Sequence, residues 1–406
     1  LPTVRAEKLY KVFGRRADDA VRRLRAGVDR AGLDLPGVTP AVIDASFEVQ
    51  AGELFVVMGL SGSGKSTLIR MLNGLLPATS GKVYVDGVDI TAMSAKQVRE
   101  MRQSTISMVF QHFALFPHRT VLENAAYALE IKGVPRDERL DTARKSLALV
   151  GLAGWEDHRP DQLSGGMRQR VGLARALAAD TDVLLMDEAF SALDPLIRRE
   201  MQDQLLSLQA QLGKTIIFIT HDLNEAMRLG DRIAVMREGR IVQIGTAEQI
   251  LTEPADDYVA QFVQDVDRSR VLTAGSVLVE PLATLDRGAE PGAALRLMQE
   301  HRCSALFVLE QDGRLAGVIS DTDATEAAGR GEESVQGIIS QEFAAVRPET
   351  PVSELFTPAA ENRLPLAVID DDRRLLGVVP RATLLAALGE ATHSDDSAGK
   401  EVAFHA

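Results

Sequence analysis

Five short stretches carry side chains that could work on a phosphate. GLSGSGKST, Gly59 to Thr67, fits the spacing G-x-x-x-x-G-K-[ST]. Gly59, Gly62 and Gly64, with Ser61 and Ser63 between them, let backbone amides turn inward on a β-phosphate. A helix opening behind them adds partial positive charge. Lys65 can then reach the β- and γ-phosphates, and the Ser66 hydroxyl, followed by Thr67, can ligate Mg2+. VLLMDEA sets Asp187 and Glu188 at the end of an apolar run. Asp187 suits a water-mediated hold on Mg2+, and Glu188 suits the base that polarises an attacking water. The plain alternative is a carboxylate pair capping the next helix. His221, after KTIIFIT, can donate to a γ-phosphate and orient water. Gln111, in MVFQHFALFPH, is an amide suited to a labile ligand that joins Mg2+ and water in a closed state. Taken singly, that His reads as a packed side chain and that Gln as a loop contact. Finally LSGGMRQRVGLARAL, Leu163 to Leu177, places Ser164, Gly165 and Gly166 at the start of a basic amphipathic helix. It is a second anion-gripping turn in a chain that already has one.

Strands and helices must position these groups. ELFVVM, TDVLLMDEA and KTIIFIT are short, apolar and rich in β-branched residues, with helical patterns between them. That alternation predicts an α/β unit with a largely parallel core sheet. GKVYVDGVDI and DRIAVMREGRIVQIGT carry turn signals between short strands and predict flanking antiparallel hairpins. DDAVRRLRAGVDRAGL has Val21, Leu24, Val28 and Ala31 at helical spacing, which predicts an amphipathic helix between a strand at Leu9 to Phe13 and the strand AVIDASFEV.

The 406 residues are enough for two or three domains. The net charge of −13 argues against nucleic-acid binding as the main business. One cysteine, Cys303, allows no internal disulfide and reads as a small buried apolar residue. No apolar run approaches the ~18 to 20 residues that span a bilayer, and the first thirty residues lack a secretory core. A membrane role would therefore require docking onto other, embedded chains.

These motifs, in this order, resemble the nucleotide-binding subunit of an ABC transporter, over about Val4 to Phe262. The resemblance implies a homodimer with two ATPs between its copies. Ser164, Gly165 and Gly166 of one copy would grip the γ-phosphate held by the other, with Asp194 of SALD at the same interface. Phe13 falls where the family stacks an aromatic on adenine, with Tyr10 as the fallback. The stretch 111–163 would form a helical subdomain that receives a permease, with Phe113, Leu115 and Phe116 as groove candidates.

Past Val266 the texture changes. CSALFVLEQDGRLAGVIS from Cys303 and RLPLAVIDDDRRLLGVVP from Arg363 superpose without a gap, Gly317 on Gly377, at an offset of 60. Such a repeat predicts two similar modules packed as a pair. The modules, about 272–330 and 334–390, resemble CBS domains, which implies a regulatory pair binding an adenosyl nucleotide or a cyclic dinucleotide. The first keeps the ribose-phosphate pattern as Ser320 and Asp323; the second has Pro380 and Thr383, so a symmetric pair of sites is not expected.

The inserted helix, the motif wording and the tandem repeat together resemble the ATPase subunit of glycine betaine/proline betaine importers. That resemblance implies two integral membrane permease subunits, a substrate-binding protein as an indirect partner, and a peripheral place on the cytoplasmic face of the inner membrane. Another amine or amino-acid importer is the nearest alternative; a soluble ABC-type ATPase acting on nucleic acid fits the acidic charge poorly. The expected architecture is an α/β P-loop domain over 1–266, with a mostly parallel core sheet, an antiparallel β subdomain and a helical subdomain. An α+β tandem CBS pair over 267–391 and a flexible tail over 392–406 follow. From Glu390 on, the acidic tail carries a net charge of −3, a weak lever for sensing ionic strength because salt screens it beyond about 8 Å.

Overall fold

The computed structural model describes residues 4–111, 114–264, 266–362 and 364–389. The chain divides into two compact units, the first ending at Val263 and the second beginning at Gln264. The first opens with β1 (Val4–Phe13), α1 (Ala17–Arg25), β2 (Thr39–Val49), β3 (Leu54–Met58) and α2 (Lys65–Leu72). The hairpin β4 (Ser80–Val85) and β5 (Val88–Asp89), then α3 (Ala95–Ser104) and β6 (Ile106–Val109), lead to the helices α4 (Val121–Ile131), α5 (Arg136–Leu149) and α6 (Gly165–Ala178). After them come β7 (Val183–Asp187), α7 (Pro195–Leu212), β8 (Thr215–Thr220), α8 (Leu223–Leu229), the hairpin β9 (Arg232–Arg237) and β10 (Arg240–Gly245), α9 (Ala247–Thr252) and α10 (Asp257–Phe262).

The apolar runs form the expected parallel core. Its strand order is β10-β9-β3-β8-β7-β6, and only β10 runs antiparallel to its neighbour. β3, β7 and β8 are buried at every position, as strands covered on both faces must be. A second sheet, β2-β1-β4-β5, is antiparallel throughout. α2 lies between the two sheets: its Leu68, Ile69 and Leu72 share one core with Leu9 and Phe47 of the antiparallel sheet and Phe55 and Ile217 of the parallel one. Phe47 and Phe55 stack at 5.3 Å. The hairpin DRIAVMREGRIVQIGT extends the core sheet, because β9 also pairs parallel with β3.

Two expectations shift. α1 ends at Arg25, with Val21 and Leu24 buried, while Val28 and Ala31 fall beyond it. Gly27, at φ +92°, breaks the helix where apolar spacing alone continued it. In the helical region, α6 packs on both α4 and α5, so the helical layer reaches past 163 and includes the helix that opens at Gly165.

The second unit is two near-copies. The first holds α11 (Ala274–Val277), β11 (Thr284–Asp286), α12 (Pro291–His301), β12 (Ala305–Leu309), β13 (Leu315–Ser320) and α13 (Asp321–Gly329). The second holds β14 (Ala345–Val346), α14 (Val352–Glu361), β15 (Leu366–Ile369), β16 (Leu375–Val379) and α15 (Arg381–Gly389). Each copy is a three-stranded sheet with one parallel and one antiparallel pairing. Phe307, Leu315 and Val318 of one copy pack against Ala367 and Val378 of the other. Each lead-in segment bonds to the other copy's last strand: Val318 N–H donates to Ser340 O (3.0 Å) and Val378 N–H to Val279 O (2.9 Å).

Candidate active site

Ligand sites of open parallel sheets lie at the carboxyl ends of the strands, and the predicted residues gather there. Gly59 to Gly64 leave β3 as a loop threaded close to other backbone. A Cβ on Gly59 would stand 2.2 Å from Met236 O, and one on Gly64 2.2 Å from Ala41 O, both at positive φ, so these positions need glycine. A Cβ on Gly62 would meet nothing within 4 Å; the loop is open on that side. Ser61 is exposed, and Ser63 Oγ is buried without a partner among the described residues. Lys65 opens α2 with its ammonium folded back onto Gly59 O (2.7 Å) and Leu60 O (3.1 Å), leaving it 4.0 Å from Glu188 Oε1. Burial holds its pKa below the ordinary lysine value.

Asp187 ends β7. Its Oδ1 accepts from Ser66 Oγ at 2.9 Å, Arg70 Nη2 stands 3.7 Å from Oδ2, and burial pushes its pKa up. Thr67, next to Ser66, is half-buried in the first turn of α2. Glu188 follows in the left-handed region at φ +47°, a strained conformation for a side chain of this size. Its amide donates to Ile219 O (3.0 Å), which pins the turn to β8. Its Oε2 takes a hydrogen bond from Gln111 Nε2 (3.1 Å), and His221 Nδ1 stands 3.2 Å from the same oxygen. Three separate segments, carrying Lys65, Gln111 and His221, thus converge on one carboxylate.

A second group forms around the start of α6. Ser164 caps that helix, its Oγ accepting from Met167 N (3.2 Å). A Cβ on Gly166 would meet Ile197 Cγ2 at 2.5 Å, and one on Gly165 would meet Leu193 Cδ2 at 3.8 Å, so this helix start presses on the turn before α7. Asp194 caps α7 through Ile197 N (3.1 Å). Ser164 and Asp194 are exposed, and among the described residues their side chains accept bonds only from their own helix starts. Phe13 is 42% exposed, with Lys11 Nζ 5.2 Å from its ring centre, whereas Tyr10 is only 3% exposed. The fallback to Tyr10 is therefore corrected: its ring packs with Val21, Leu24 and Leu35 and has no free face for a ligand.

Phe116 lines a groove of about 350 Å3 with Phe110, Tyr127 and Ile131. Leu115 is half-buried and is not among the described residues lining that groove, and Phe113 lies outside the described residues. In the second unit Ser320 caps α13; its Oγ accepts from Asp323 N (3.1 Å) and donates to Asp323 Oδ2 (2.6 Å). Pro380 precedes α15 in the equivalent place and offers no hydroxyl. Cys303 is half-buried and lines a cleft of about 380 Å3 with Leu282, Phe307 and Pro380. The acidic tail falls outside the described residues.

Sequence reasoning missed three residues that knit the site. Ser191 Oγ donates to Glu188 O (2.9 Å) and accepts from Gln111 Nε2 (3.3 Å). Asp222 caps α8, and Arg198 bonds it from α7. D-L-N-E after His221 is a legible helix start; nothing in the local pattern singles out Arg198.

A phosphate loop, a strand-end carboxylate pair and a second amide-rich helix start, on a core sheet of this order, define an ATP-binding cassette. The family model described as ABC transporter matches residues 42–191, and the CBS domain model matches 274–330 and 335–390. The glycine betaine transport ATP-binding protein OpuAA of Bacillus subtilis is 52% identical, covering 95% of this chain and 92% of its own. The glycine betaine/proline betaine transport system ATP-binding protein ProV of Escherichia coli is 45% identical, covering 94% and 96%. The ATP-binding cassette MJ0796, solved as a dimer in a post-hydrolysis state bound to ADP and Pi, superposes with a TM-score of 0.52 at 29% identity, over 60% of this chain and 98% of its own. The chain belongs to the ABC transporter ATP-binding proteins, in the group formed by these glycine betaine transport relatives. It binds ATP, and its hydrolysis is coupled to transport. Among the described residues no helix is long and apolar enough to cross a membrane.

Proposed function

We propose that the chain is the ATP-hydrolysing subunit of an importer for glycine betaine or proline betaine, working as a homodimer beneath two membrane permeases. The observation that carries the catalytic part is the convergence of Lys65, Gln111 and His221 on Glu188, beside Ser66 and Asp187. Glu188 takes the proton of the attacking water. Gln111 and His221 hold that carboxylate in place and fix which oxygen faces the reaction. Lys65, already stripped of water, meets phosphate oxygens at low solvation cost. The oxygens of Ser66 and Asp187 are hard donors that suit Mg2+, which supplies charge neutralisation for the phosphates when bound. Phe13 offers an exposed ring for the adenine.

Ser164, Gly165, Gly166 and Asp194 belong to the partner's nucleotide. The exposure of Ser164 and Asp194, whose side chains among the described residues bond only to their own helix starts, supports a surface that is completed by a second copy. The Phe116 groove is the docking place for a permease segment, which puts the chain peripherally on the cytoplasmic face of the membrane. A substrate-binding protein acts through the permeases. The CBS pair regulates, with an adenosyl nucleotide or cyclic dinucleotide as ligand; its single intact Ser320–Asp323 pattern favours one site over two.

Full-length similarity to betaine transport proteins, through both units, supports this substrate class over other amine or amino-acid importers. Glu188→Gln tests the core of the reading. Hydrolysis should fall at least about a hundredfold while an ATP-bound dimer accumulates, seen by sedimentation. Normal turnover would remove Glu188 as the base. ATPase assays of the complex reconstituted with its permeases, with candidate osmolytes, decide the substrate.

A further inference from the structure

α7 begins one residue after Asp194, and Arg198 sits in its first turns, where side chains lean back toward the helix start. Its guanidinium bridges two loops. Nη2 donates to Leu193 O (3.1 Å) and Ser191 O (3.4 Å), and Nη1 donates to Asp222 Oδ2 (3.0 Å). Asp222 is itself immobilised: Oδ1 accepts from Glu225 N (3.1 Å), and its own amide donates to Thr220 Oγ1 (2.9 Å). The residue before it is His221, against Glu188. Ser191, at the other end of the bridge, touches both Glu188 and Gln111 through its hydroxyl.

A stabilising choice for this place would be different. A cation near a helix N-terminus opposes the macrodipole, and Arg198 Nε is buried without a partner among the described residues. The guanidinium does what another side chain cannot: its planar fork serves a carboxylate and two carbonyls at once. Farther along the same helix pair, Gln202 Nε2 donates to the buried Glu225 Oε1 (3.0 Å) and Arg228 of α8 donates to Asp203 of α7, so the two helices are tied three times. Ile197, next to Arg198, lies under the tight contact of Gly166.

We infer that Arg198 is a positioning residue that locks the 191–194 turn to the His221 turn, so that the surface around Ser164 and Asp194 and the groups facing the γ-phosphate move together. This rests on the two-copy reading above. Arg198 makes none of the contacts of the phosphate loop, so the lock acts on turnover and leaves nucleotide capture alone.

The test uses the full chain with MgATP. Arg198→Lys and Asp222→Asn, made singly and together, should each lower kcat about tenfold with KM held within about threefold, and the double variant should fall no further than the worse single one. Asn still caps a helix and Lys keeps the charge, so both are mild on folding. Added guanidinium ion should restore Arg198→Ala severalfold at concentrations that leave the wild type unchanged. Wild-type kcat in the single variants, losses that multiply in the double variant, or kcat and KM worsening in step with melting temperature would each overturn the lock. Glu188→Gln is run alongside: if it forms no ATP dimer the two-copy reading fails, and if it does, a negative cycle sinks the lock alone.

Discussion

The two units treat polar groups in opposite ways. The ATPase unit buries Lys65, Asp187, Glu225, Gln169, Gln202 and Asn124; in the repeat unit Ser269 is the one buried polar side chain among the described residues. Every described pKa shift caused chiefly by burial also falls in the first unit, as for Lys65, Asp187 and Glu225. Both ends of Gln169, in the α6 helix, are buried without a partner among the described residues, and Glu188 is held at positive φ. Such groups cost stability unless they are fully paired. In the reading proposed above Lys65 and Asp187 act on the nucleotide, whereas Gln202 and Glu225 pair with each other between α7 and α8, and Asn124 bonds the backbone of Phe116 and Thr120; the second unit is an aliphatic core repeated twice.

The sharpest way to break that contrast is Lys65→Ala. Among the described residues the ammonium meets two carbonyls and, at 4.0 Å, a carboxylate, so little structure depends on it. ATP hydrolysis should fall by about a hundredfold or more, in line with the loss of a preorganised charge at a phosphate. Nucleotide titration of the isolated chain should weaken as well. A chain that hydrolysed ATP normally without Lys65 would mean its burial serves the fold.

Asp187→Asn separates cost from use. The folded state raises the pKa of Asp187 by burial, so at neutral pH the ionised carboxylate is penalised on folding. Asparagine keeps an oxygen for Ser66 and removes the charge. Nucleotide-free protein should melt about 2 °C higher, and the same variant should lose most of its hydrolysis. A lower melting point would show that the pairing with Ser66 and Arg70 already outweighs the burial.

Much of this was legible in the sequence, for identifiable reasons. β3, β7 and β8 are short apolar runs bounded by motif residues, and both their existence and their parallel pairing follow from composition and alternation. The repeat offset of 60 announced the second unit's two sheets. What stayed hidden depends on contacts between distant segments. Nothing local says that Arg198 reaches Asp222, or that Gln111 and His221 meet on one oxygen of Glu188. Apolar spacing alone carries α1 on to Ala31, past a glycine at positive φ that ends the helix at Arg25. Tyr10 and Phe13 differ by three residues, and only the fold shows which one faces out.

Glu225 makes the contrast visible as pH dependence. It is 4% exposed and its pKa is raised, chiefly by burial. An acid whose pKa is raised on folding adds stability below its unfolded value, near 4.5, and loses it as pH climbs through the folded one. The stability of the wild type to chemical denaturants should therefore fall relative to that of Glu225→Gln as pH rises from about 5 to 8, by on the order of 1 kcal/mol. Parallel curves for the two proteins would mean that Gln202 and Thr220 compensate the charge completely.

The smallest effect lies in the repeat unit and asks whether its two copies are equivalent. Ser320 and Pro380 occupy the same place, just before the last helix of each copy, but only Ser320 caps that helix with a side chain. Its hydroxyl satisfies the Asp323 amide, one of the donors that a helix start leaves open. In the second copy Thr383 instead donates its amide to Pro380 O and holds no cap. Ser320→Ala should thus cost about 1 kcal/mol of unfolding free energy in the repeat unit, and Thr383→Ala less than about 0.5. Equal losses would mean that the hydroxyl of Thr383 carries a load the backbone geometry does not reveal, and the copies would then differ in sequence without differing in mechanics. Unequal losses in the stated order would tie the one intact Ser-x-x-Asp pattern to local helix stability, which any ligand proposed for that pattern must first displace.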